Sequence, residues 1–101
     1  MKDKVLSLLG LCTKAGRIAS GEFMTETSVK NGSALLVIVA TDASLNTKKE
    51  FKDMCSFYNV DYVEYGTKES LGSAMGKEYR ASLSVNDEGF YKAIKKHLDN
   101  M

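Results

Sequence analysis

The chain has no proline and no tryptophan, one histidine, two cysteines and almost no net charge, with 14 basic residues against 13 acidic ones for a formal +1. Each shortage excludes something. No Pro/Gly/Ser-rich tract and no block of like charge marks a linker or a tail, so the 101 residues, 44% of them apolar, are read as one domain over residues 1–101 with one core. The longest apolar run, Leu35 to Ala40 with its neighbours, is far too short to cross a bilayer. The N-terminal Met-Lys-Asp-Lys-Val-Leu-Ser-Leu-Leu-Gly-Leu-Cys lacks the long apolar centre of a secretory signal. A cytoplasmic chain without membrane contact is expected. Cys12 and Cys55 each fall on an apolar helical face, so both are expected as buried free thiols.

Reactive groups are as scarce as charge. Gly72-Ser73-Ala74-Met75-Gly76-Lys77-Glu78 has the look of a phosphate-binding loop, but its glycines are one residue too close and Glu78 stands where a Mg²⁺-binding Ser or Thr is required. Cys12, Cys55 and His97 sit in separate helical segments, without a metal-ligand or nucleophile–base partner at a recognised spacing. No enzyme activity, metal or cofactor is therefore expected. The balanced charge also bounds nucleic-acid binding, because a protein that wraps many phosphates carries a strong basic excess. Any such site here is small and local. Before Gly21, Lys2, Lys4, Lys14 and Arg17 face only Asp3; later, Lys68, Lys77 and Arg80 lie near two expected loops.

What is present is an alternation of helical and strand patterns. Val5, Leu8, Leu9 and Cys12 recur at helical spacing and predict a helix ending near Gly16. Arg17 to Ser20 reads as a short edge strand, and Ala34 to Ala40, apolar on both faces, as the central strand. Asp42 or Ser44 then caps a helix with Phe51, Met54, Cys55 and Tyr58 inward and Lys48, Lys49, Lys52 and Asp53 on the wet side. Val60 to Tyr65 reads as a strand, Thr67 to Met75 as a short helix, and Ala81 to Val85 as an alternating strand. Asn86 or Asp87 opens a last helix whose face carries Phe90, Ala93, Ile94, His97 and Leu98. The sum is an α/β/α sandwich with a mixed sheet of about four strands.

The stretch from Ser20 to Gly32 stands apart. Ser20 is expected to cap a helix that Gly21 lets the chain enter and that ends at Gly32. Thr25, Ser28, Val29 and Gly32 would face inward, leaving Phe23, Thr27 and Lys30 outside or to the side. A glycine-led helix start suits a phosphate. The other reading is a short connecting helix whose Phe23 packs on a neighbour.

The segments Leu8-Leu9-Gly10-Leu11, Ala15 to Glu22, Ala34 to Lys49 and Lys68 to Glu78 resemble the bacterial YlxQ proteins, of the ribosomal-protein family that binds kink-turn RNA. The similarity runs from about Lys4 to Phe90. It implies an α/β/α sandwich holding a bent RNA internal loop with sheared G·A pairs, read by the glycine that starts the second helix and by polar residues in its first turns. Gly21 matches that glycine, with Glu22 beside it, whereas Phe23, Met24 and Thr27 fall where kink-turn binders commonly have Asn, Glu and Lys. Phe and Met stack or wedge but offer no hydrogen bond to a base edge. Ala40, Thr41 and Asp42, with the loop Lys77, Glu78, Tyr79 and Arg80, lie where the family brackets flipped-out nucleotides. Tyr79 either stacks on an unpaired base or shields the sheet edge, Asp42 either meets RNA or caps the third helix, and Lys77 and Arg80 either meet phosphate or are solvated surface. The expectation is a monomeric, non-catalytic binder of structured RNA, kink-turn or related internal loop, in or near the ribosome. The alternative is a protein–protein adaptor docking through Phe23 and Met24.

Overall fold

Helical and extended segments alternate through residues 3–100, the part of the chain that the computed structural model describes; Lys2 lies outside it. In order they are α1 (Lys4–Lys14), β1 (Ile18–Ser20), α2 (Glu22–Lys30), β2 (Leu36–Val39), α3 (Leu45–Tyr58), β3 (Asp61–Glu64), α4 (Lys68–Ala74), β4 (Ser82–Val85) and α5 (Glu88–Asp99). Side-chain caps start most helices: Asp3 accepts from the Leu6 N–H, Ser44 from Thr47, Thr67 from Ser70 and Asp87 from Phe90. The two open choices thus fall to Ser44 and Asp87. The helix α2 is the exception, and the expected Ser20 cap is not made: the N-cap is Gly21, which has no side chain to offer.

The sheet order is β1-β4-β2-β3, with β2 parallel to β3 and β4 antiparallel to both of its neighbours. The strand β2 is buried at every position, as its unbroken apolar run predicts, because helices cover both faces. Alternation assigns the helices to sides. Glu64, paired with Val39, meets Lys48 of α3, and Ser84 reaches Ser28 of α2 through Asn86. Asp61, paired with Leu36, meets Tyr91 and Lys95 of α5 on the opposite face, where the Tyr65 hydroxyl also donates to Asp3 at the start of α1. The core is therefore split by the sheet, with Val37, Val39 and Phe51 among its buried residues and Leu9, Ile38, Leu83 and Ile94 fully enclosed as well. Each such side chain contributes about 1.5–3 kcal/mol relative to exposure. Cys12 and Cys55 are buried free thiols.

Several expectations are refined. Gly32 does not join the inward face of α2 but lies exposed beyond its end at φ +85°. Lys48 is mostly covered, in contact with Glu64 at 3.4 Å, and Tyr58 is exposed. Ser82 and Ser84 are as buried as Leu83 and Val85. The four buried polar residues among those described are Thr25, Ser28, Ser82 and Ser84, contributed by α2 and β4. A seam of small polar groups seats α2, and within it the Thr25 hydroxyl has no hydrogen-bond partner. No described helix is long and apolar enough to cross a membrane.

Candidate nucleic-acid interface

The strand directions decide which loops meet. Because β4 runs against both β1 and β2, and β3 runs with β2, the carboxyl ends of β1, β2 and β3 share one edge of the sheet with the start of β4. That edge is where open α/β sheets bind ligands. It carries all the expected contact residues: Gly21 to Thr27 after β1, Ala40 to Asp42 after β2, and Lys77 to Arg80 before β4.

Gly21 adopts φ +90°, ψ 159°, a region essentially reserved for glycine, although a Cβ there would touch nothing within 4 Å. Its N–H is tied to the Ser82 carbonyl at 3.0 Å, which aims the chain out of the sheet and directly into α2. The first turn of this nine-residue helix has no side-chain cap, so its N–H groups and the positive end of the helix dipole face outward. Phe23 is 76% exposed and Met24 51%, which removes the reading in which Phe23 packs on a neighbour. The Thr27 hydroxyl donates to the Phe23 carbonyl at 3.0 Å. The Glu22 carboxyl beside Glu50 of α3, more than burial or the nearby Glu26, raises the Glu50 carboxyl above its ordinary value.

Ser20, expected as a cap, acts differently. Its Oγ accepts from Arg80 Nε at 3.1 Å, while another guanidinium nitrogen of Arg80 donates to the Tyr79 carbonyl at 2.8 Å. Arg80 takes part in no ion pair among the described residues. A planar cation is thereby held at the entrance of α2 with donor capacity left over.

The second segment is scaffold. Ala40 is fully buried and donates its N–H to the Ala81 carbonyl, so its side chain does not reach the surface. Thr41 gives both its N–H and its hydroxyl to the Gly66 carbonyl, at 2.8 and 2.7 Å. Asp42 neither caps α3 nor stands free: its Oδ1 accepts the first N–H of α4, from Lys68, at 2.8 Å. These bonds lock the end of β2 to the β3–α4 turn. The third segment lies over α4. Lys77 donates its N–H to the Gly72 carbonyl at 2.7 Å and Arg80 donates its own to Lys68 at 3.0 Å. A Cβ at Gly72 would come within 2.4 Å of the Glu78 carbonyl oxygen, so only glycine lets this loop run so close. Lys77 and Glu78 are exposed, and Tyr79 is 63% exposed instead of shielding the sheet edge.

The sequence reading missed Ser20 as the Arg80 anchor, Gly66 and Lys68 as backbone partners, Gly72 as the crossing point, and Leu45, 83% exposed, at the start of α3. A glycine within a short amphipathic helix is the one signal that pointed to such a crossing. Among the described residues no cluster of His, Cys, Asp and Glu is arranged to hold a metal ion.

Residues 3–95 match the profile of the ribosomal protein L7Ae/L30e/S12e/Gadd45 family. Over 92 residues the chain is 38% identical to the RNA-binding protein YlxQ of Bacillus subtilis (strain 168), covering 91% of this chain and 92% of that one. Over 98 residues it is 36% identical to the RNA-binding protein YlxQ of Enterococcus faecium, covering 97% and 94%. A solved structure of a Bacillus halodurans protein with unknown function superposes with a TM-score of 0.93 at 37% identity, covering 97% of this chain and 99% of that one. With the four-stranded mixed sheet, the helix order and nearly the whole length in agreement, this chain belongs to the ribosomal protein L7Ae/L30e/S12e/Gadd45 family.

Proposed function

We propose that this protein binds structured RNA without catalysis, at the sheet edge bearing Gly21, Tyr79 and Arg80, and that its ligand is a kink-turn or related internal loop in or near the ribosome. The observation that carries the reading is the uncapped start of α2 with Arg80 held beside it by Ser20. Unpaired backbone N–H groups and a guanidinium converge on one place, which suits a phosphate at a sharp backbone bend. The relatives named as RNA-binding proteins support it. The exposed rings of Phe23 and Tyr79 supply stacking surfaces for unpaired bases. Lys77 is free to meet a second phosphate; Thr41 and Asp42 serve by fixing the loop geometry, and a cytoplasmic location goes with the reading.

The test is binding of the purified protein to a kink-turn RNA, and to the same RNA with its G·A pairs disrupted, over a range of salt. Preference for the intact RNA, with affinity falling as salt rises, is the expected result. Equal weak binding to both, or none, would overturn the kink-turn assignment. A second reading, a protein adaptor docking on Phe23 and Met24, is favoured by the side-by-side exposure of these two apolar residues. It predicts partner binding that responds to Phe23→Ala and little to salt.

A further inference from the structure

Of the buried residues of α2, Thr25, Ser28 and Val29, only Val29 is apolar, whereas α1 encloses Val5, Leu9 and Cys12. Ser82 and Ser84 of β4 lie in the same polar seam, the helix start has no side-chain cap, and the Thr25 hydroxyl is unpartnered. Such a face gains little from burial and has few interlocking side chains to fix where the helix sits. Its placement therefore depends on polar links. Among the described residues one side-chain hydrogen bond reaches from α2 toward the sheet: Asn86 Nδ2 donates to Ser28 Oγ at 3.2 Å, while Asn86 Oδ1 accepts from Ser84 Oγ at 2.9 Å. The bonds from Thr27 to Phe23 and from Lys30 to Glu26 stay within the helix. The Asn86 N–H donates in turn to the carbonyl of Arg17, the residue before β1, at 2.9 Å. One residue thus grips β4, α2 and the chain entering β1.

We propose that Asn86 is a positioning residue for the RNA edge: by clamping Ser28 to Ser84 from the opposite end of the sheet, it fixes the placement of α2 and of the uncapped N–H groups and exposed Phe23 at its start. The consequence for RNA rests on the RNA reading; the clamp itself does not. Asn86 lies four positions beyond Ser82, about 13 Å along an extended strand, and is half-buried, so it acts without touching a ligand at that edge. A nine-residue helix moves as a unit, and a displacement at Ser28 reaches its first turn. The near anchor does not suffice. The bond to the Ser82 carbonyl fixes the chain only as far as the Gly21 N–H, and a glycine at φ +90° is free to swivel unless the helix beyond it is also held. Asp87 caps α5, which leaves the Asn86 amide available for the clamp. An amide suits the place, since it donates to one serine and accepts from the other without bringing a charge into the seam.

The experiment compares the full chain with Asn86→Ala, Ser28→Ala and the double variant. Without RNA, Asn86→Ala is expected to quicken amide exchange about fivefold across α2, with α1, α3 and α5 little changed. Ser28→Ala should quicken it less, because alanine also favours the helix, and in the Asn86→Ala background it should not quicken it at all. With a kink-turn RNA as probe, Asn86→Ala should bind about threefold more weakly at an unchanged slope of log affinity against log salt, because no phosphate contact is lost. Arg80→Ala, in contrast, lowers that slope. Equal quickening in every helix, unchanged exchange in α2, additive effects in the double variant, unchanged affinity despite quicker exchange, or a lower salt slope for Asn86→Ala would each overturn the proposal. Failure of the unaltered chain to bind the RNA would overturn the RNA reading and the positioning role with it, while the exchange cycle would still show whether the clamp exists.

Discussion

Arg80 Nε donates to Ser20 Oγ across 3.1 Å, joining residues sixty positions apart at the entrance of α2. Arg80→Ala should therefore weaken RNA binding by about 1.5–3 kcal/mol, the usual worth of a charged hydrogen bond. The slope of log affinity against log salt should fall by about one. Arg80→Lys restores the charge but not the planar fork and should recover only part of the loss. Ser20→Ala removes the anchor and should cost less than Arg80→Ala; filter binding over a salt series reads all three.

Two glycines at the site are needed for opposite reasons, and alanine separates them. Gly21→Ala meets no atom but must adopt φ +90°, which costs about 1–3 kcal/mol in strain. Gly72→Ala is sterically blocked by the Glu78 carbonyl, so the loop must shift, at about 1–3 kcal/mol. Urea unfolding should register both losses. Among variants still folded, only Gly72→Ala should move the amide resonances of Glu78 and Tyr79.

The Thr25 hydroxyl is buried without a partner beneath α2. Thr25→Val keeps the shape and removes the unsatisfied group, so it should raise stability by about 1 kcal/mol, seen as a higher urea midpoint with unchanged slope. A loss of stability would mean that the hydroxyl is bonded after all.

Asp61 gives the fold an acid-side dependence. The Tyr91 hydroxyl donates to its carboxylate at 2.5 Å and, with Lys95, holds Asp61 below the ordinary 3.8 despite some opposing desolvation. A depressed folded value contributes stability that is fully present above 3.8 and is lost as pH falls through the lower folded value. Tyr91→Phe should flatten that part of the stability profile below about pH 4, measured by urea midpoints.

Burial pushes both thiols, Cys12 and Cys55, up to about 11, with Asp87 and Asp61 respectively adding to the effect and Arg17 partly opposing it at Cys12. At neutral pH neither should react with a thiol reagent in the native state, and both should react once urea unfolds the chain. Fast labelling of the folded protein would contradict the burial described.

The elements were legible because each carries its own local signal. Val5, Leu9 and Cys12 announce α1 by spacing, and the unbroken run through β2 announces a strand covered on both sides. The resemblance brought the contact segments to one edge of the sheet. Their internal wiring was not legible, because it depends on pairs distant in sequence: Asp42 with Lys68, Thr41 with Gly66, Ser20 with Arg80. Ser20 shows why. Its position before a helix made it a candidate cap, but Gly21 takes the cap position and leaves the hydroxyl free for a cation from another loop.

The last strand in the sequence is not last in space: β4 lies between β1 and β2. During synthesis β1 has no hydrogen-bonding neighbour until residues 82–85 have emerged, and α2 has no serine floor to rest on. A chain halted before that point holds Gly21 but lacks the strand whose Ser82 carbonyl fixes where α2 begins. Competence for a ligand at this end of the sheet thus arrives late and in one step, when β4 enters between β1 and β2.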